Sequence, residues 1–133
     1  DKTLVPTLKK MFHVSIVESH LSSAGIPDLN ICLKKDGLSI HEWIELKYIP
    51  KGSEVVSIRA TQYAWFRERT KFGGTPLLMA MLEDSGTIVV VEGKDVIRPH
   101  PLRSVSELYD RCAVVTNIEC LNDCLKMVLG NGQ

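Results

Sequence analysis

Glu45 and Lys47 stand two residues apart in WIELKY, inside a stretch that alternates like a β-strand, so both side chains leave the same face. The preceding stretch opens with Asp28 and also alternates, with Leu29, Ile31 and Leu33 on one face and Asp28, Asn30 and Cys32 on the other. Between the two lies Lys35-Asp36-Gly37, a turn signal, because Asp-Gly accommodates the positive φ angles of a tight hairpin. A hairpin folded there gathers two carboxylates and an ammonium at one end. A hard divalent cation such as Mg²⁺ or Mn²⁺ takes oxygen ligands, typically one or two carboxylates completed by water and phosphate. Held at such a point, it polarises a phosphate and lowers the pKa of a bound water. A lysine beside it orients that water and stabilises the charge that grows on phosphate.

Three further residues bear on this set. Glu18 falls between Met11 and Val14 on a helical wheel, inside an apolar arc, where a carboxylate is costly to bury unless it meets a cation or donors. Its plain alternative is a glutamate at the helix rim. Arg59 and Gln62 lie three apart on one face of a later helix, with Gln62 able to hold a water or a phosphate oxygen and Arg59 to bind phosphate. Asp28 alone also reads as a turn residue, and Glu45 with Lys47 as a solvated strand face. Their joint occurrence is what points to a metal-dependent site. His13, His20, His41 and His100 are scattered and read as surface or packing residues, with His20 and His41 near the site. Trp43 reads first as packing, Trp65 with Phe66 as core.

The elements that must position these residues follow from periodicity. Residues 7–24 repeat at helical spacing, with Leu8, Met11, Phe12, Val14, Ile16, Val17 and Leu21 on one arc, and Gly25 ends the run. Two strands follow, Asp28 to Lys34 and Leu38 to Lys47. Residues 48–57 read as a loop, 58–71 as a second helix broken by Phe72-Gly73-Gly74, and LLMAML and TIVVVE as a hairpin of buried strands. VIRPHPLRS reads as irregular. The tail from Val105 to Leu129 reads as one or two helices with a break near Thr116-Asn117. The order is α-β-β-α-β-β-α, an α/β or α+β domain with helices on a small mixed sheet and extra C-terminal helices.

The totals allow one domain: 133 residues, of which 44% are hydrophobic, suffice for one core. The net charge of zero does not point to nucleic acid, but its distribution permits it. Residues 1–75 hold 11 Lys/Arg against 8 Asp/Glu, and residues 76–133 hold 5 against 8. No run reaches the ~18 apolar residues of a membrane span. DKTLVPTLKK lacks the apolar core of a signal peptide, so an intracellular protein is expected. The four cysteines, Cys32, Cys112, Cys120 and Cys124, form no CxxC pair and read as reduced, packed thiols rather than zinc ligands.

Taken in order, Glu18, GIPDLNI, WIELKY, RATQYAWF and FGGTPLLMAML resemble the PD-(D/E)xK nuclease superfamily, most of all the VRR-NUC group and the archaeal-type Holliday junction resolvases. The resemblance covers residues 7–92. It implies a restriction-endonuclease-like αβββαβ core and a Mg²⁺- or Mn²⁺-dependent endonuclease acting on branched, flapped or free DNA ends. By this likeness Asp28, Glu45 and the backbone carbonyl of Leu46 bind metal, Lys47 is the catalytic lysine, and Glu18 is a further metal-shell or water-binding carboxylate. Gln62 matches the glutamine on the helix after the ExK strand, and Arg59, Arg69 and Lys51 are the cations assigned to DNA. A homodimer is implied, with the apolar, mildly acidic tail as its candidate interface. The alternative is a nuclease fold that binds nucleic acid or protein without cutting. One departure stands out: only Ser22 to Pro27 separates the first helix from Asp28. The first of the three expected strands is therefore very short, absent, or supplied by residues read as helix.

Overall fold

The computed structural model describes residues 3–17 and 24–131. Within them a six-stranded mixed sheet runs in sequence order, β1 (His13–Ile16), β2 (Leu29–Lys35), β3 (Leu38–Ile49), β4 (Leu77–Leu82), β5 (Ile88–Glu92) and β6 (Val114–Thr116). All neighbours are antiparallel except β3 and β4, which run parallel. Five helices are described: α1 (Leu4–Lys9), α2 (Ala60–Lys71), α3 (Gly93–Ile97), α4 (Val105–Arg111) and α5 (Leu121–Asn131). The parallel pair requires a crossover, and α2 supplies it.

Helices cover both faces of the sheet. On one, Leu4, Leu8 and Phe12 from the α1 region and Leu121, Leu125 and Val128 from α5 pack on Leu29, Ile31, Ile44 and Met79. On the other, Phe66 of α2, Val96 and Ile97 of α3 and Leu108 of α4 pack on Ile49, Leu78, Ala80 and Val89. β4 and β5 are covered twice, which is why LLMAML and IVVV are continuous apolar runs and do not alternate. The β2–β3 hairpin forms as the sequence implies. Asp36 (φ 52°) and Gly37 (φ 79°) both take positive φ, the geometry of a two-residue turn whose twist matches its strands.

Four readings are corrected. Of the helix expected over residues 7–24, the part up to residue 17 is instead the end of a short helix, Leu4–Lys9, followed by β1 at His13–Ile16, while residues 18–23 lie outside the described residues. Val14 and Ile16 are β-branched and stiff, and the free edge of β2 offers them a ladder that a helix would forgo. Residues read as helix thus supply the first strand. The tail is not wholly helical, because Val114–Thr116 pairs with β5 and extends the sheet. β3 continues to Ile49, two residues into the expected loop, because β4 pairs with it there. Val96 and Ile97, read as irregular, close α3. Among the described residues the order begins α-β-β-β-α-β, with six strands where four were expected.

Most apolar residues of the tail are used inside this chain: Leu121, Leu125, Val128 and Leu129 are buried. Val115 on the β6 edge and Met127 on α5 remain exposed. No helix of the described residues is long and apolar enough to cross a membrane.

Candidate active site

The site lies where β2 parts from β3. Their ladder ends at the pair Leu29–Ile44, while β3 continues beside β4 through Ile49. Past that point Leu46 has lost its β2 partner, and its N–H donates to Asp28 Oδ2 at 2.9 Å. The residue just before β2 thus caps the strand that carries Glu45 and Lys47.

Glu45 and Lys47 leave the face of β3 that is covered by α2. Glu45 is 3% exposed and its Oε2 accepts from Gln62 Nε2 at 2.7 Å. Lys47 Nζ donates to Gln62 Oε1 at 2.9 Å and stands 3.6 Å from Glu45 Oε2. Gln62, 4% exposed, therefore ties carboxylate and ammonium together through one amide. The same Oε1 accepts from the Arg59 N–H at 2.9 Å, so Gln62 also satisfies a donor at the start of α2. One side chain sets the helix start and the spacing of the charged pair.

Burial pushes the Glu45 carboxyl up to about 7, and the negative charge of Asp28 adds to the rise. Lys47 and Arg59 act the other way but do not prevail. Burial and the neighbouring carboxylate together outweigh the nearby cations at Glu45. Among the described residues, Asp28 Oδ1 and Glu45 Oε1 meet no hydrogen-bond donor.

Of the other residues singled out, Leu46 is half-buried on β3, and Arg59 is exposed at the N-cap of α2. Arg69 is placed elsewhere, its guanidinium 5.6 Å over the ring of Trp65, which in turn meets Trp43 edge-on at 6.0 Å. Trp43 is thus held by helix packing. Lys51 is exposed beyond β3, and its N–H faces Glu83 at 3.4 Å. Glu18 and His20 lie outside the described residues. Among the described residues, no three His, Cys, Asp or Glu side chains converge as a metal-binding group, and the four cysteines are free thiols.

Two supporting residues escaped the sequence reading. Glu42 sits on the apolar face of β3, where its Oε2 accepts from the N–H (3.2 Å) and hydroxyl (2.9 Å) of Thr75, fixing the loop before β4. An acid among Ile40 and Ile44 was the available signal. Gly25, read as a helix terminator, takes φ +91°, and a Cβ on it would collide with the backbone carbonyl of Thr61 in α2. The segment leading to Asp28 is thereby seated on the helix carrying Gln62. Gly25→Ala is expected to cost at least about 2 kcal/mol, from left-handed strain plus the displaced helix. A thermal melt checks it, and an unchanged melting temperature would mean that this packing is absent.

No protein-family model matches the chain, and no curated protein is significantly similar to it in sequence. Fold and site together define an α/β protein with a carboxylate–lysine pair at the parting of two strands.

Proposed function

We propose that this chain is a metal-dependent DNA endonuclease with a restriction-endonuclease-like αβββαβ core, in which Asp28, Glu45, Lys47 and Gln62 form the active site. The observation that carries the reading is the single amide of Gln62 joining Glu45 to Lys47, with Asp28 capping the backbone between them. A structural ion pair would not need a carboxyl that burial first, and then repulsion from Asp28, keeps protonated to about 7. A divalent cation relieves that repulsion, so the residues present fit Mg²⁺ or Mn²⁺, with Asp28, Glu45 and the Leu46 carbonyl as its holders. When bound, the cation supplies a polarised phosphate and a more acidic water.

The chain's own groups do the rest. Asp28 is oriented by the Leu46 N–H, which leaves its second oxygen for a ligand. Lys47 is fixed between Gln62 and Glu45, where its ammonium orients the attacking water and meets the negative charge developing on phosphate. Arg59, at the mouth of the same site, binds a phosphate oxygen. Water attacks phosphorus in line, and the bond to one sugar oxygen breaks. By the same resemblance, DNA structure (junctions, flaps or ends) is the feature it selects. By that resemblance it also works as a homodimer.

The test is a gel assay on junction, flap, single-stranded and linear duplex DNA with Mg²⁺, Mn²⁺ or EDTA. Cutting is expected with either metal, none in EDTA, and none with Asp28→Asn. That variant keeps its DNA affinity, because it removes a negative charge and no phosphate contact. Wild type that cuts none of these substrates, or Asp28→Asn that cuts equally well, would favour a binding module over an enzyme.

A further inference from the structure

α2 and its N-cap present Arg59, Tyr63, Arg67 and Lys71 at intervals of four, a ridge about 18 Å long at helical rise. Tyr63 stands between two grooves on this ridge. The first, about 540 Å³, is floored by Val55, Ile58, Pro101 and Leu102, with Arg59 and Arg103 beside it. The second, about 590 Å³, is lined by Arg67, Lys71 and Arg98 as well as Tyr63. No Asp or Glu lines either groove among the described residues, although the chain carries as many acids as bases.

The outer wall is built in advance. Arg111 Nη1 donates to the carbonyls of His100 (2.6 Å) and Asp95 (3.2 Å), and its Nη2 donates to Glu107 at 2.9 Å. The Tyr63 hydroxyl donates to the Ile97 carbonyl at 3.2 Å, joining ridge and wall. Arg67 lies 5.8 Å over the Tyr63 ring.

We infer that these grooves hold an unpaired DNA strand as it leaves the scissile phosphate, one unstacked base in the first groove and the phosphates beyond it along the second. This rests on the nuclease reading for the position of that phosphate. Arg59 belongs both to the mouth of the active site and to the first groove, so the track is continuous with the chemistry. A duplex offers a surface its phosphates and keeps its base faces stacked, which leaves an apolar floor without a partner. A single strand offers both a base face and a phosphate, and an apolar floor rimmed by guanidinium groups suits both.

The test measures binding by fluorescence anisotropy, in Ca²⁺, to a blunt duplex and to the same duplex carrying one unpaired arm. Wild type is expected to bind the armed duplex roughly tenfold or more tightly. Arg67→Glu with Arg98→Glu, both exposed and outside the catalytic set, should abolish that preference and flatten the salt dependence. Binding to the blunt duplex should fall far less than binding to the armed one. Arg67→Gln with Arg98→Gln, checked for folding by circular dichroism, should give a smaller loss of the same kind. Equal wild-type affinity for both duplexes, or a variant that weakens both alike, overturns the inference. A groove-dependent arm preference without cleavage in any metal upholds the grooves and removes the nuclease reading. Cleavage without an arm preference does the reverse.

Discussion

Lys47→Ala is expected to slow DNA cleavage by about 100- to 1,000-fold in single-turnover assays with Mg²⁺, the range for losing one preorganised donor to a developing oxyanion. Lys47 is a point charge on a strand, held at 2.9 Å by Gln62 Oε1 and at 3.6 Å from Glu45 Oε2. Its removal leaves Gln62 its bond to the Arg59 N–H, so α2 still starts in place. The fold should therefore survive while the chemistry fails. Lys47→Arg should not restore the rate, because a planar guanidinium cannot occupy the position of a compact ammonium. Removing Lys47 also takes away a charge that lowers the pKa of Glu45, so that carboxyl should hold its proton to still higher pH. Cleavage within a few-fold of wild type would reduce Lys47 to a counterion for Glu45.

The second large effect concerns stability without metal. Glu45 titrates at about 7 in the folded chain against an ordinary value of 4.5, first because it is buried and then because Asp28 is close. The fold thus favours the protonated form. Stability from this group is fully present below pH 4.5 and is lost as pH rises through about 7. Across that window the loss is on the order of 3 kcal/mol at ~1.4 kcal/mol per pH unit. Glu45→Gln keeps an acceptor for Gln62 Nε2 and carries no charge. In EDTA at pH 8 it is expected to melt above wild type, by as much as about 10 °C for a domain of this size. At pH 5 the gap should close. Mg²⁺ should then raise the melting temperature of wild type and not that of Glu45→Gln, since binding to the folded state alone stabilises it. A gap that does not change with pH would mean that Glu45 is not the group under strain.

Much of the site is legible in the sequence. Strand alternation alone puts Glu45 and Lys47 on one face, and Asp36-Gly37 alone turns β2 back on β3, because both are local rules of backbone geometry. The spacing of Arg59 and Gln62 already fits a helix start. The continuous apolar runs of β4 and β5 declare strands covered on both faces. Each of these is settled within about ten residues of chain.

Long-range contacts decided the rest. Val14 and Ile16 suit a helical arc as well as a strand, and the open edge of β2, more than ten residues away in sequence, turns the choice toward β1. Val114–Thr116 is too short to declare itself and becomes β6 only against β5. That Gln62 reaches both Glu45 and Lys47, and that Gly25 must lack a side chain because Thr61 fills its place, follow from how α2 packs across β3. The raised pKa of Glu45 has the same origin. Sequence alone determined which chemical groups share a strand face, since that depends on backbone period. Only the packing of a distant helix on that face decided which of them are buried, and hence that the Glu45 carboxyl holds its proton to about 7.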